Sequence, residues 1–326
     1  MAEDTMNGDS LAGLQAGALP IFFEQIHSQL LLAGSEVRRL FHGRGRMFDG
    51  LEQITCDWVG QQLMVSVFKQ PSEGFLNNLK HGLIAMADSP LWQKCQGRSI
   101  VLQHRYEKGA PSEVLVGELQ RNPIVVESDI NYRLDIGQNQ NFGLFLDMRL
   151  GRNWVKAQSK GKNVLNLFAY TCGFSVAAIE GGADQVVNVD MSRSSLTKGR
   201  ENHKLNGHNL NQVKFLAYDI FRSWGKISRM GPYDLIVIDP PSFQKGSFAL
   251  TKDYKRILRR LPELLNQDGD VLACVNSPKV SSQFLIDGMQ EEAPELSYKE
   301  RIDNPPEFAD INPEASLKVL RFSREK

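Results

Sequence analysis

The sequence carries no excess of charge of either sign, since 38 Lys and Arg stand against 38 Asp and Glu. That balance excludes a global positive field able to capture nucleic acid at long range, so any contact with RNA must be local. Cysteine is scarce: Cys56, Cys95, Cys172 and Cys274 are scattered, with no C-x-x-C pair and no Cys/His cluster at zinc spacing. This argues against a metal centre and for the reduced thiols of a cytosolic setting. No uninterrupted apolar run approaches the ~20 residues of a membrane helix, and the first residues carry acids where a signal peptide needs a basic start and an apolar core. The expectation is a soluble cytoplasmic protein with no membrane segment and no metal; its oligomeric state is left open.

What is present is organised around residues 162–192. Val164 to Phe168 form a short apolar run suited to a strand buried on both faces, Thr171, Cys172 and Gly173 supply a turn, and Phe174 to Ile179 change to helical spacing before Gly181 and Gly182. A second buried strand, Val186 to Val189, ends in Asp190. In doubly wound sheets an acid at that place, some ~20 residues past the turn, accepts hydrogen bonds from ribose hydroxyls. A plain strand, helix and strand in which Asp190 only caps the next helix would read the same way. The turn lacks the G-x-G-x-x-G pattern that lets a pyrophosphate approach the backbone, keeping Gly173 alone beside Tyr170, Thr171 and Cys172. A ribose-bearing ligand without phosphates, such as S-adenosylmethionine, fits that turn better than a dinucleotide.

A second landmark is Tyr233 to Ile238, another buried strand, followed by Asp239-Pro240-Pro241-Ser242-Phe243. Two prolines directly after a strand cannot extend its ladder, so they set a rigid loop at the carboxyl edge of the sheet, where open α/β sheets bind ligands. This loop resembles the D-P-P-[ST]-F loop of class I methyltransferases acting on large-subunit (23S) ribosomal RNA. Leu40 to Glu52 with Asp57-Trp58, Phe142 to Arg149, Asn166 to Thr171 and Val189 to Ser192 are similar to segments of the same family, in the same order. The resemblance implies a Rossmann-like α/β sheet, mostly parallel with an antiparallel last strand, and S-adenosylmethionine as cofactor. The expected cofactor contacts are Phe168, Tyr170, Thr171, Gly173, Asp190, Met191, Asp219, Ile220 and Asp239, with Asp219 meeting the adenine amino group. The expected catalytic residues are Asp239, Pro240, Pro241, Phe243 and Asn276.

Along the chain, residues 1–19 read as a mobile tail, 20–130 as a smaller N-terminal α+β domain and 131–326 as the methyltransferase domain. Phe22, Phe23, Ile26, Leu30 and Leu31 recur at helical spacing. A hairpin is expected over 51–68 around Gly60-Gln61-Gln62, a helix from Phe75 to Met86, and strands over Ser99–His104, Glu113–Glu118, Val125–Glu127 and Tyr132–Asp135. Arg38, Arg39, Arg44 and Arg46, with His42, are the densest cationic cluster here, either a phosphate contact for RNA or a solvated hairpin tip. Further on, the expectations are an Asp147–Arg149 ion pair, Ser192 capping a helix to Leu205, and a strand over Val213–Leu216. A helix over Tyr254–Leu265, a fifth strand over Val271–Val275 and a closing strand over Leu317–Phe322 follow.

Methyl transfer from a sulfonium to a lone pair needs alignment more than acid–base help. Asp239 could anchor a base, and Phe243 could stack on it or pack beneath the loop. Cytosine C5 differs because a cysteine thiolate must first attack the ring. In family members with that activity a Cys stands at the end of the fifth strand, where this chain has Asn276; Cys274 lies two positions earlier. The resemblance therefore favours a guanine nitrogen as acceptor. The alternatives are a cytosine-C5 enzyme using Cys274, a methyltransferase for a small molecule or protein, and a non-catalytic binding module, against which the combination of Asp190 with the Asp239-Pro-Pro loop argues.

Overall fold

A computed structural model describes residues 13–137, 141–241, 243–244 and 248–324, with the side chains of 243, 244, 248 and 249 outside the description. The chain forms two compact units, residues 1–120 and 121–326.

In the first unit, α1 (Leu19–Ala33) is followed by β1 (Arg38–His42), β2 (Ile54–Val59), β3 (Gln62–Val67), α2 (Glu73–Ala87), α3 (Pro90–Lys94), β4 (Ser99–His104) and β5 (Ser112–Val116). The strands lie side by side in chain order, antiparallel except where β3 runs parallel to β4. A parallel pair needs a crossover, and α2 with α3 provides it. Gly60 and Gln61, at φ 59° and 65°, make the two-residue turn that the right-handed twist of a hairpin favours. Leu19, Phe22, Ile26 and Leu30 of α1 are buried in the core of this unit, whereas Leu31 is exposed. The tail expectation is corrected over 13–19. The Gln15 N–H donates to the Gly50 carbonyl at 2.9 Å, and Leu14, Ala18 and Leu19 pack onto the core, because they are the apolar residues that close its end. Residues 1–12 lie outside the described residues.

The second unit begins with the hairpin β6 (Ile124–Glu127) and β7 (Ile130–Arg133), then α4 (Arg149–Gln158), β8 (Asn163–Leu167), α5 (Gly173–Glu180), β9 (Gln185–Val189), α6 (Arg193–Leu205) and β10 (Val213–Leu216). It continues with α7 (Trp224–Ser228), β11 (Tyr233–Ile238), the two-residue strands β12 (Phe243–Gln244) and β13 (Phe248–Ala249), α8 (Leu250–Leu258), α9 (Leu261–Leu264), β14 (Leu265–Val275), α10 (Ser282–Glu292), β15 (Leu296–Ile302) and β16 (Lys318–Arg324). The main sheet has the order β10-β9-β8-β11-β14-β16-β15. Its first five strands are parallel and β16 is antiparallel to both neighbours, as the α/β expectation required. Apolar strands such as Leu235–Ile238 and Val271–Val275 are buried on both faces, one face packing against α8, α9 and α10 and the other against α4 and α5.

Three expectations are corrected. The hairpin β6–β7 belongs to this unit, not to the one before it: the Asn206 side chain accepts the Asn131 N–H at 2.9 Å, and the Asn202 side chain accepts that of Arg133 at 2.9 Å, so α6 serves as the partner strand that β7 lacks. The helix expected over Tyr254–Leu265 is two, since Pro262 withholds an N–H and starts α9 afresh. The fifth strand begins at Leu265, with the bulge the pairing requires: Tyr233 faces Leu265 and Leu235 faces Asp270.

Candidate active site

The chain order reverses between β8 and β11, with β9 and β10 on one side and β14 on the other. Loops leaving the carboxyl ends diverge at such a point and open a crevice. The turns after β8, β9, β10, β11 and β14 all contribute to a cavity of about 470 Å³, within the range of small-molecule sites. Twelve expected site residues line it: Phe168, Tyr170, Thr171, Gly173, Asp190, Met191, Asp219, Ile220, Asp239, Pro240, Pro241 and Asn276. The side chain of Phe243 lies outside the described residues.

The turn after β8 departs from a relaxed backbone. Phe168, Tyr170 and Cys172 stand at φ 59°, 47° and 63°, a left-handed region that costs bulky residues on the order of 1 kcal/mol each. The surroundings hold them there. The Tyr170 N–H donates to Asp190 Oδ2 at 2.8 Å, the Cys172 N–H to the Ala169 carbonyl at 2.7 Å, and Asn202 Nδ2 to the Thr171 carbonyl at 3.2 Å, while Thr171 Oγ1 donates to the Gly143 carbonyl. Gly199 on α6 is required by this packing, since a Cβ there would lie 2.3 Å from Cys172 Sγ. Beneath the turn, Asn166 donates to Asn188 and Asn188 to Ser175, both at 2.9 Å, which satisfies the polar groups buried between β8, β9 and α5.

Asp190 accepts the N–H of Tyr170 on one oxygen and that of Ser192 on the other at 2.7 Å. Each oxygen keeps a lone pair for a hydroxyl on the cavity side. The cap of α6 is instead Ser192, whose Oγ accepts the Ser195 N–H at 3.2 Å. Asp219 combines the two roles left open for it, accepting the Phe221 N–H at 2.9 Å and lining the cavity.

At the other end stand Asp239, Pro240 and Asn276. Burial, reinforced by the nearby Asp147 and opposed by Arg152, raises the Asp239 carboxyl to about 7. Asn276 Nδ2 donates to Asp147 Oδ2 at 3.4 Å, so the expected Asp147–Arg149 pair is corrected: Arg149 turns to Glu307, at 2.8 Å, because the first turn of α4 points it toward the segment before β16. Cys274 is 0% exposed, and burial with the negative charges of Asp239 and Asp147 pushes its thiol well up. Tyr254 Oη donates to its carbonyl at 3.1 Å. The cavity also takes in two residues that sequence reasoning missed, Phe145 and Arg152. Arg152 stands three positions past Arg149 on α4, and no local pattern marks it, since its partner Glu127 is 25 residues upstream.

In the first unit the four expected RNA contacts differ in circumstance. Arg39 donates to the buried Asp57 and lies 2.7 Å from His42 Nδ1, and Arg38 lies 3.7 Å from Glu36. Arg44 is exposed and stacks over the Phe68 ring at 4.7 Å, with Arg105 over the same ring at 5.5 Å; Arg46 is partly exposed. Gly43 serves packing, since a Cβ on it would meet the Leu51 carbonyl oxygen at 1.8 Å.

A doubly wound sheet with this cavity at its switch point defines a nucleoside-binding enzyme of the methyltransferase kind, and residues 38–323 match the model of the S-adenosylmethionine-dependent methyltransferase family. The chain belongs to that family, whose methyl donor is S-adenosylmethionine. It is 30% identical over 232 residues to ribosomal RNA large subunit methyltransferase I of Aeromonas salmonicida, a match covering 69% of this chain and 57% of that protein. It is 29% identical over 304 residues to a candidate ribosomal RNA large subunit methyltransferase of Bacillus subtilis, YwbD, covering 88% of this chain and 74% of the other. The chain thus spans little more than half the length of the first of these relatives. Among solved structures, a Streptococcus mutans protein described as a SAM-dependent methyltransferase superposes with a TM-score of 0.79 at 24% identity, covering 96% of this chain and 82% of its own, which supports the fold. Among the described residues no helix is long and apolar enough to cross a membrane, and no group of three or more His, Cys, Asp or Glu could hold a metal ion.

Proposed function

We propose that this chain transfers the methyl group of S-adenosylmethionine to a ring nitrogen of a guanine in large-subunit ribosomal RNA, in the cytoplasm. One observation carries the choice of acceptor. At the mouth of β14 the accessible side chain is the amide of Asn276, while Cys274 is fully buried with its thiol held protonated. Attack on cytosine C5 needs a reachable thiolate, whereas a ring nitrogen brings its own lone pair.

The donor residues are assigned from the cavity: Asp190 to the ribose, Asp219 and Ile220 to the adenine, and Phe168, Tyr170, Thr171, Gly173 and Met191 to the surrounding wall. The chemical nature of the site fits this ligand, since carboxylates with free lone pairs face hydroxyls and amines while the turn leaves no room for a pyrophosphate. Bound there, the donor supplies an electrophilic methyl group on a sulfonium. The protein's part is alignment. Asp239 and Asn276 orient the base edge, Pro240 and Pro241 hold the loop rigid, and Phe243 stacks on the base. Arg44 and Arg46 are assigned to RNA phosphates. The ribosomal substrate is inferred from the names of the relatives.

The test is to incubate the protein with labelled donor and either total RNA or a small-molecule extract, then to analyse nucleosides of ribosomal RNA by mass spectrometry from cells with and without the protein. A methylguanosine that depends on the protein is expected. Label confined to the extract, or a dependent 5-methylcytidine, refutes the proposal.

A further inference from the structure

Arg152 is 4% exposed, yet it lines the cavity. Its Nε and Nη2 donate to the two oxygens of Glu127, each at 2.7 Å, and Nη2 also donates to the Phe145 carbonyl at 2.9 Å. Nη1 makes no hydrogen bond among the described residues. It faces the start of α5, where a Cβ on Gly173 would lie 3.9 Å from it. That helix start is itself unsatisfied: Cys172 provides no side-chain cap, and the N–H groups of Gly173, Phe174 and Ser175 find no acceptor among the described residues. A nearly buried guanidinium edge and an uncapped helix terminus therefore point into one corner, both calling for an anion. The rest of the wall has the opposite polarity. Four carboxylates line the cavity, Asp147, Asp190, Asp219 and Asp239, and Arg152 is the sole cation among the described lining residues.

We propose that Arg152 Nη1 and the first N–H groups of α5 bind the carboxylate at the amino-acid end of the methyl donor, an inference that rests on reading the cavity as the donor site. The donor has a single anionic group, and the cavity has a single corner built for one. Glu127 offsets the net charge of the guanidinium, so recognition comes from directed N–H groups more than from a field. By occupying one edge of the guanidinium, Glu127 also fixes which edge faces the ligand. The hairpin β6–β7 thus takes part in the donor site without touching the ligand, which makes Glu127 a positioning residue.

The experiment is calorimetric binding of three ligands: S-adenosylhomocysteine, its carboxamide, and 5′-methylthioadenosine, which keeps the nucleoside and lacks the amino-acid end. The wild type should bind the carboxamide about 10- to 100-fold more weakly than the acid, the loss expected for a charge-assisted pair. This comparison changes the ligand alone and needs no folded variant. Arg152→Met should weaken S-adenosylhomocysteine by a similar factor and leave 5′-methylthioadenosine within about twofold. Equal affinity of wild type for acid and carboxamide, or equal losses for S-adenosylhomocysteine and 5′-methylthioadenosine in Arg152→Met, would overturn the assignment while leaving the donor site in place. A wild type that binds none of the three would overturn the donor site itself.

Discussion

Asp239→Asn should make this protein more stable above pH 7 while abolishing most of its activity. Asp239 has its carboxyl raised from 3.8 to about 7, with burial the main cause and Asp147 the second. The sign follows from proton linkage. Below pH 4 both folded and unfolded states hold the proton, and the carboxyl costs nothing. Between about 4 and 7 the unfolded state releases it and the folded state does not, so stability falls as pH rises, and above 7 the loss is complete. At 1.36 kcal/mol per unit, a shift from 3.8 to about 7 corresponds to roughly 4 kcal/mol. The side chain is only partly buried, being open to the cavity, where water screens the charge, so about 2 kcal/mol is the more realistic size. The amide is isosteric and does not titrate. Urea unfolding of both proteins at pH 5, 6, 7 and 8 should give curves that separate progressively, with the Asp239→Asn chain ahead by about 2 kcal/mol at pH 8. Asp147→Asn should move the onset to lower pH by removing the neighbouring charge. A stability difference that does not change between pH 5 and 8 would refute the reasoning, because it would mean that Asp239 ionises alike in both states.

Asp190→Ala removes the acceptor assigned to the ribose and the anchor of the Tyr170 N–H, and should weaken donor binding on the order of 2 kcal/mol by calorimetry; NAD binding tighter than the donor would contradict it. Cys274→Ser should retain most methyl transfer at a stability cost of about 1–3 kcal/mol for a buried hydroxyl, and abolished turnover in a folded protein, or a covalent complex trapped by 5-fluorocytosine RNA, would restore the cytosine alternative. Replacing Arg44 and Arg46 together should lower RNA affinity and flatten its salt dependence, whereas Arg39→Ala should act on stability, by about 3 kcal/mol or more, by leaving Asp57 buried without its cation. Gly199→Ala should displace the turn at Cys172, reducing thermal stability by about 1–3 kcal/mol and weakening S-adenosylhomocysteine binding with it; an unchanged affinity would show that the turn is held from elsewhere.

The parts of this protein that the sequence by itself determined are those coded by local period and punctuation. Strands buried on both faces announce themselves as short apolar runs, and Val213–Leu216 and Tyr233–Ile238 begin and end where those runs do. Acids or amides at strand ends, and the proline pair after β11, mark the carboxyl edge of a parallel sheet, which is why twelve of the site residues could be named in advance. Tertiary structure decided whatever depends on a partner far along the chain. Arg149 reads as a mate for Asp147 two positions away, yet it pairs with Glu307, and Arg152 acquires its function from Glu127 on a hairpin that local reading placed in the other domain. Asn202 and Asn206 look like ordinary polar positions on a surface helix until β7 comes to lie against them. Three left-handed residues in the turn after β8 contradict their own propensities, and only the bonds from Asp190, Ala169 and Asn202, with the gap left by Gly199, make them tenable. The physical reason is common to all of these. Periodicity is a property of neighbouring residues, whereas the direction of a guanidinium or the strain a backbone can bear is set by what the rest of the fold brings against it.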